Sequence, residues 1–191
     1  FPTIPEKIDE DISGKNISEI HQLISFFLFF QKEPVSSFLF QKRIFKKHSI
    51  EINLYEVKHY LIVQKILDYS SNEYFLSLYG LNSLRNFIPT FSYTFFQKKS
   101  KELWIEYHNG KTLLEYLKEF EKKSSNNIQL DGYSYLSIFF QIICSLEVAQ
   151  ENLLFTHHDL HLENIIIKKE KKKISFPIHD KNYIFRDQKY L

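Results

Sequence analysis

The 191-residue chain contains no methionine, a single cysteine and only 4 glycines. One cysteine, Cys144, rules out an intrachain disulfide and fits a reducing compartment, where a lone thiol in an apolar helical stretch is a small core residue. The longest apolar run, "ISFFLFF" at 24–30, falls short of the roughly 18 to 20 residues that a spanning helix needs, so no membrane span is expected. From its first residues no signal peptide is expected either. A start at Phe1 without any methionine leads us to expect a fragment or a processed product. Charge of one sign is missing too: 25 basic against 23 acidic residues leave a formal charge of +2. That balance gives no electrostatic case for a nucleic-acid binder, and any anion recognition has to be local.

Apolar residues are plentiful, at 43% of the chain, with 19 Phe and 12 Tyr. Such a chain can bury enough surface to offset its ordering entropy, in one domain or two small lobes. "NISEIHQLISFFLFFQ" (16–31) has an Asn cap candidate, Glu19 three residues later and helical apolar spacing, which predicts a helix ended by Pro34. Residues 37–66 are β-branched and aromatic with partial alternation, which predicts a small antiparallel sheet. "SSNEYFLSLYGLNSLRNFI" (70–88) reads as one helix, or two broken at Gly80, stopping at Pro89. "TFSYTFFQ" and "ELWIEYH" read as strands, and "NGKTLLEYLKEFEKK" as a turn and helix. "SSNNIQLDG" (124–132) reads as a polar loop, and 133–153 as a helix apolar all round, hence buried. Two strands flank "KKEKKK" (168–173), a charge run read as a solvated turn, and "HDKN" (179–182) is a further turn. No internal repeat is present. The expected organisation is a helical extension (1–36), a sheet-and-helix part (37–107) and a mainly helical part (108–191), with the boundary at "EYHNGK".

The densest chemistry lies in "FTHHDLHLEN" (155–164). Asp159 and Asn164 stand five apart, between the apolar helix and the strand "NIIIKK". A carboxylate that holds an acceptor hydroxyl and a short oxygen ligand for a metal ion are what phosphoryl transfer asks of a protein. A zinc site on His157, His158, Asp159 and His161 is the competing reading, but no H-E-x-x-H or Cys/His spacing supports it. A loop of structurally satisfied histidines is the other.

The order His157, His158, Asp159, Leu160, Asn164 matches H-x-D-L-x-x-x-N, the kinase catalytic loop. Here the sequence resembles the protein-kinase-like superfamily, and over roughly 50–191 it resembles divergent serine/threonine kinases of large DNA viruses. The resemblance implies an α+β, two-lobed fold, incomplete at the C-terminus, that transfers the γ-phosphoryl of ATP to Ser/Thr hydroxyls of a protein substrate with Mg²⁺. It implies Asp159 as catalytic base, His157 as an orienting residue of the loop, and His161 where a lysine often stands near the transferred phosphate. Asn164 becomes the metal ligand. Lys65 in "YLIVQKIL" would pair with the phosphates and Glu73 with Lys65, Lys58 being a nearby competitor. The backbone of 105–108, Glu106 and His108 among them, would meet the adenine edge as a hinge. The resemblance also implies a cytoplasmic protein, in the host cytoplasm if viral.

Three departures accompany the match. His158 replaces the usual arginine, no glycine lies between Gly14 and Gly80 to build the Gly-rich cover over the phosphates, and no D-F-G occurs. Asp180 follows Asn164 by a spacing slightly long for the metal aspartate and lacks the Phe-Gly; the resemblance implies an extra hairpin at this point, as which "ISFPIHDKNYIF" reads, and a metal aspartate expected beyond Leu191. "D-L-H" keeps a small-molecule phosphotransferase open, and the missing glycines keep open a pseudokinase used as a binding module.

Overall fold

A computed structural model describes residues 38–47, 50–57, 60–67, 73–85, 87–98, 101–123, 128–169, 173–185 and 189–190. The helix expected over 16–31, the rest of the 1–36 extension, and Lys58 lie outside these residues. The chain divides into two compact units, Phe1–Tyr107 and His108–Leu191.

In the first unit, β1 (Leu39–Lys47), β2 (Ile50–Val57), β3 (Tyr60–Ile66), β4 (Thr94–Lys98) and β5 (Glu102–Glu106) form one antiparallel sheet in the order β1-β2-β3-β5-β4. β3 is central. Its register sets Lys65 opposite Ile52 of β2 and Leu103 of β5, while Gln64 lies opposite Asn53 and Trp104. Side chains alternate faces along a strand, so these rows lie on opposite sides. One row is polar and tied together: Asn53 donates to Gln64 (3.2 Å), and Gln64 donates to Glu102 (3.1 Å). Trp104 is fully buried, edge-on to Phe38 and stacked on Phe96. Large aromatic area of this kind is the main apolar contribution a small sheet can offer.

Between β3 and β4 runs a helical segment, α1, made of an α turn Glu73–Phe75, a π turn Leu76–Leu81 and an α turn Asn82–Leu84. Of the two readings of this stretch, one helix or two broken at Gly80, the structure shows one: Gly80 lies inside the π turn and the helix continues through it. Leu78 and Leu84 are buried, and the π turn packs on β4.

In the second unit, β6 (Lys111–Thr112) leads into α2 (Leu113–Lys123). Thr112 and Glu115 close a reciprocal capping box: Glu115 accepts from the Thr112 N–H at 2.9 Å and Thr112 Oγ1 from the Glu115 N–H at 3.2 Å. Two orphan amides at the helix start are thereby satisfied. β7 (Ile166–Lys169) pairs antiparallel with β6 on one side and with β10 (Lys189–Tyr190) on the other. Gly110 lies so close to β7 that a Cβ there would meet Ile167 O and Ile166 Cγ2 at 2.6 Å, so only glycine fits.

The long helix α3 (Ile128–Leu153) corrects two expectations. It begins at Ile128, so 128–132 are helical, because a nucleated helix gains one hydrogen bond for each residue added. It is also not buried all round. Ile138, Gln141, Cys144, Ser145, Val148 and Ala149 are buried, whereas Leu136, Phe139, Phe140 and Ile143 are exposed. Among the described residues the helix packs through Ile138 on Leu113, Ile165 and Ile167, and it also packs against β10 and against β8 (Ile174–Ile178), which pairs with β9 (Lys181–Phe185). By length and composition Gly132–Leu153 could cross a membrane, and its packed face is what a core helix of a folded unit presents.

Candidate active site

The residues read from the sequence as a catalytic loop, 157–164, fall where α3 hands the chain back to β7. Leu154 leaves the helix at φ 53°, a left-handed turn uncommon for a residue with a side chain. The loop that follows is anchored at its far end, where Ile165 O accepts from Leu113 N–H (2.8 Å) and Leu162 O from Leu114 N–H (3.2 Å). Both anchors belong to the first turn of α2, which fixes the depth of the loop against the sheet.

Within it, Asn164 Nδ2 donates to the Asp159 backbone oxygen (2.9 Å) and to its carboxylate Oδ2 (3.1 Å). Asn164 N–H donates to His161 O at 2.9 Å. These bonds use the donor side of the Asn164 amide and leave its oxygen, the atom chemically suited to a hard cation. Asp159 is largely exposed (81% of the side chain), and an ionised carboxylate there has lone pairs to spare for an acceptor hydroxyl. His157 Nδ1 accepts from Asp159 N–H at 3.3 Å while its ring meets Phe155 edge-on, centroids 5.8 Å apart. The ring thus lies between Phe155 and the backbone N–H of the aspartate. His161 Nδ1 accepts from Glu163 N–H (3.3 Å), and its Nε2 lies 3.7 Å from Asp159 Oδ2. The structure thus brings His157, Asp159, His161 and Asn164 together. His158 is exposed in the same turn.

In the first unit, Lys65 Nζ donates to Glu73 Oε1 at 2.6 Å, from the central strand to the first turn of α1. The sequence pairing is therefore realised as a direct contact. The Glu106 side chain is turned inward. It is buried, its Oε2 accepts from Tyr93 N–H (3.1 Å) and stands 3.6 Å from Arg85 NH1, and its own N–H donates to Tyr93 O (2.8 Å). His108 O accepts from Gly110 N–H at 3.0 Å. Asp180 is exposed in the β8–β9 turn.

Two buried features escaped the sequence reading. Arg85 donates to Pro89 O (2.7 Å) and Phe91 O (3.0 Å) besides facing Glu106. Asn82, fully buried, exchanges both bonds with Thr94 (2.8 Å each), as a neighbouring strand would. A polar residue inside an apolar helical pattern was the available signal, but it does not name its partner.

No protein-family model matches the chain. It is 32% identical over 73% of its length to an uncharacterized protein of Invertebrate iridescent virus 6. It is 35% identical over 54% of its length to a probable kinase of Invertebrate iridescent virus 3, and 34% identical over 45% to a probable serine/threonine-protein kinase of Dictyostelium discoideum. The chain spans 13%, 19% and 6% of these relatives' own lengths. Two of these relatives carry kinase names, which supports a kinase-like family. The α+β first unit, a mostly antiparallel sheet with a short helical segment, is compatible with a kinase-like N-lobe.

Proposed function

We propose that this chain is the nucleotide-binding and catalytic-loop part of a two-lobed protein kinase that transfers the γ-phosphoryl group of ATP to Ser/Thr hydroxyls of proteins. The observation that carries the reading is the Asn164 amide bound to both the backbone oxygen and the carboxylate of Asp159. In this reading Asp159 orients the acceptor hydroxyl and takes its proton, His157 holds the loop backbone, and Lys65, steadied by Glu73, binds phosphate oxygens. Asn164 Oδ1 would hold Mg²⁺, which when bound neutralises charge on the phosphates. The donor set fits such an ion, which takes few protein oxygens and completes its shell with phosphate and water. The backbone of Tyr107 and His108, just past the end of β5, is where an adenine edge would bind.

The test uses ATP, Mg²⁺ and a panel of Ser/Thr peptides beside small hydroxylated acceptors. Asp159→Asn in the longer protein should abolish transfer and spare nucleotide binding. Retained transfer in that variant overturns the assignment. A small-molecule acceptor is the second reading, favoured by His161 rather than a lysine beside Asp159. A nucleotide-binding module without turnover is favoured by β1 and β2, which carry no glycine.

A further inference from the structure

A second cluster of ionisable groups lies outside this loop. Glu147 and Glu151 stand one turn apart near the C-terminal end of α3, and His179, in the β8–β9 turn, reaches both. Like charges at i and i+4 repel, and Glu151 sits in the last turn, where the carbonyl end of the helix is itself negative. That turn carries no basic residue. The helix end therefore concentrates negative potential with no cation of its own to relieve it.

His179 meets this potential from a separate element in a specific way. Its backbone is held at φ 50°, a conformation residues with side chains seldom adopt. Its N–H donates to Glu151 Oε1 (3.1 Å) and Oε2 (3.4 Å), its ring Nδ1 contacts Glu151 Oε1, and its Nε2 stands 3.9 Å from Glu147 Oε1. One ring nitrogen and one oxygen from each carboxylate lie within 4.8 Å of one another. Two ligands of a tetrahedral zinc ion at about 2.0–2.1 Å are separated by roughly 3.4 Å, so small rotations of these side chains bring all three onto one centre.

We propose that Glu147, Glu151 and His179 bind a divalent transition-metal ion of the zinc class, with water completing the shell. One imidazole nitrogen with two carboxylates suits Zn²⁺ better than Mg²⁺ or Ca²⁺, which take oxygen shells. The bound ion ties the β8–β9 hairpin to α3, and the site is independent of the phosphoryl-transfer reading.

The 191-residue chain, stripped with chelator, is titrated with Zn²⁺ against a chromophoric competitor, and with Co²⁺ by visible absorption. One equivalent of Zn²⁺ should bind, with a raised melting temperature and weak Co²⁺ bands lacking a thiolate transition. His179→Asn keeps a residue that tolerates the left-handed turn and should weaken binding at least tenfold, as should Glu147→Gln with Glu151→Gln. Replacing His157, His158 and His161 together by Ala should leave binding unchanged. Undiminished binding in both the His179→Asn and the double glutamine variant overturns the proposal. So does loss of binding in the triple alanine variant, or absence of stoichiometric binding by the starting chain.

Discussion

Asn164 and Asp159 are joined twice, through the backbone oxygen at 2.9 Å and the carboxylate at 3.1 Å. The five-residue spacing between them is thus a closed loop in which one side chain sets the direction of the other. Preorganisation of this kind matters where chemistry depends on positioning.

Asn164→Ala opens that loop and removes the metal-suited oxygen at once. We expect Mg²⁺-dependent nucleotide affinity to fall and phosphoryl transfer by the longer protein to drop by about a hundredfold or more. Nucleotide affinity that shows no Mg²⁺-dependent loss would argue against the role given to Asn164.

Lys65 and Glu73 should be energetically coupled in nucleotide binding. Lys65→Ala is expected to weaken ATP binding at least about tenfold, the scale of a lost charge-assisted phosphate contact. Glu73→Gln should weaken it less, and the double variant should be no worse than Lys65→Ala. Strictly additive effects in a titration-calorimetry cycle would mean that the 2.6 Å contact does not serve the nucleotide.

Two glycines should respond in opposite directions. Gly110→Ala forces a Cβ to within 2.6 Å of the β7 backbone and should cost about 1–3 kcal/mol. Gly132→Ala, where a Cβ meets nothing within 4 Å on a helix, should gain up to about 1 kcal/mol. Urea denaturation of the two variants checks both signs.

Burial pushes the Tyr93 phenol well above its ordinary range, with the Arg85 charge opposing. A pKa raised in the folded state means that stability is fully present below the ordinary tyrosine value of about 10 and is lost as pH rises past it. The denaturation midpoint should fall more steeply above that pH in the starting chain than in Tyr93→Phe. Tyr55 and Tyr74, also raised by burial, will keep part of the slope. Identical alkaline limbs would remove Tyr93 from the account.

Much of the architecture could be read from periodicity alone. The strands of 39–66, the helical segment before Pro89, and the turn between "ISFPI" and "YIF" are local patterns, in which side-chain alternation or a 3.6-residue repeat states which face is apolar. The Asp159-to-Asn164 spacing was equally visible, because both residues sit on one short loop. Tertiary structure alone decided the rest. That Glu106 turns inward to Arg85 and Tyr93, that one face of α3 stays exposed, and that His179 reaches Glu147 and Glu151 across 28 to 32 positions all depend on which elements pack together. A sequence pattern specifies a face but not its neighbour: polar partners distant in the chain are selected by packing, since a buried charge or amide is tolerated only where the fold brings it a complement.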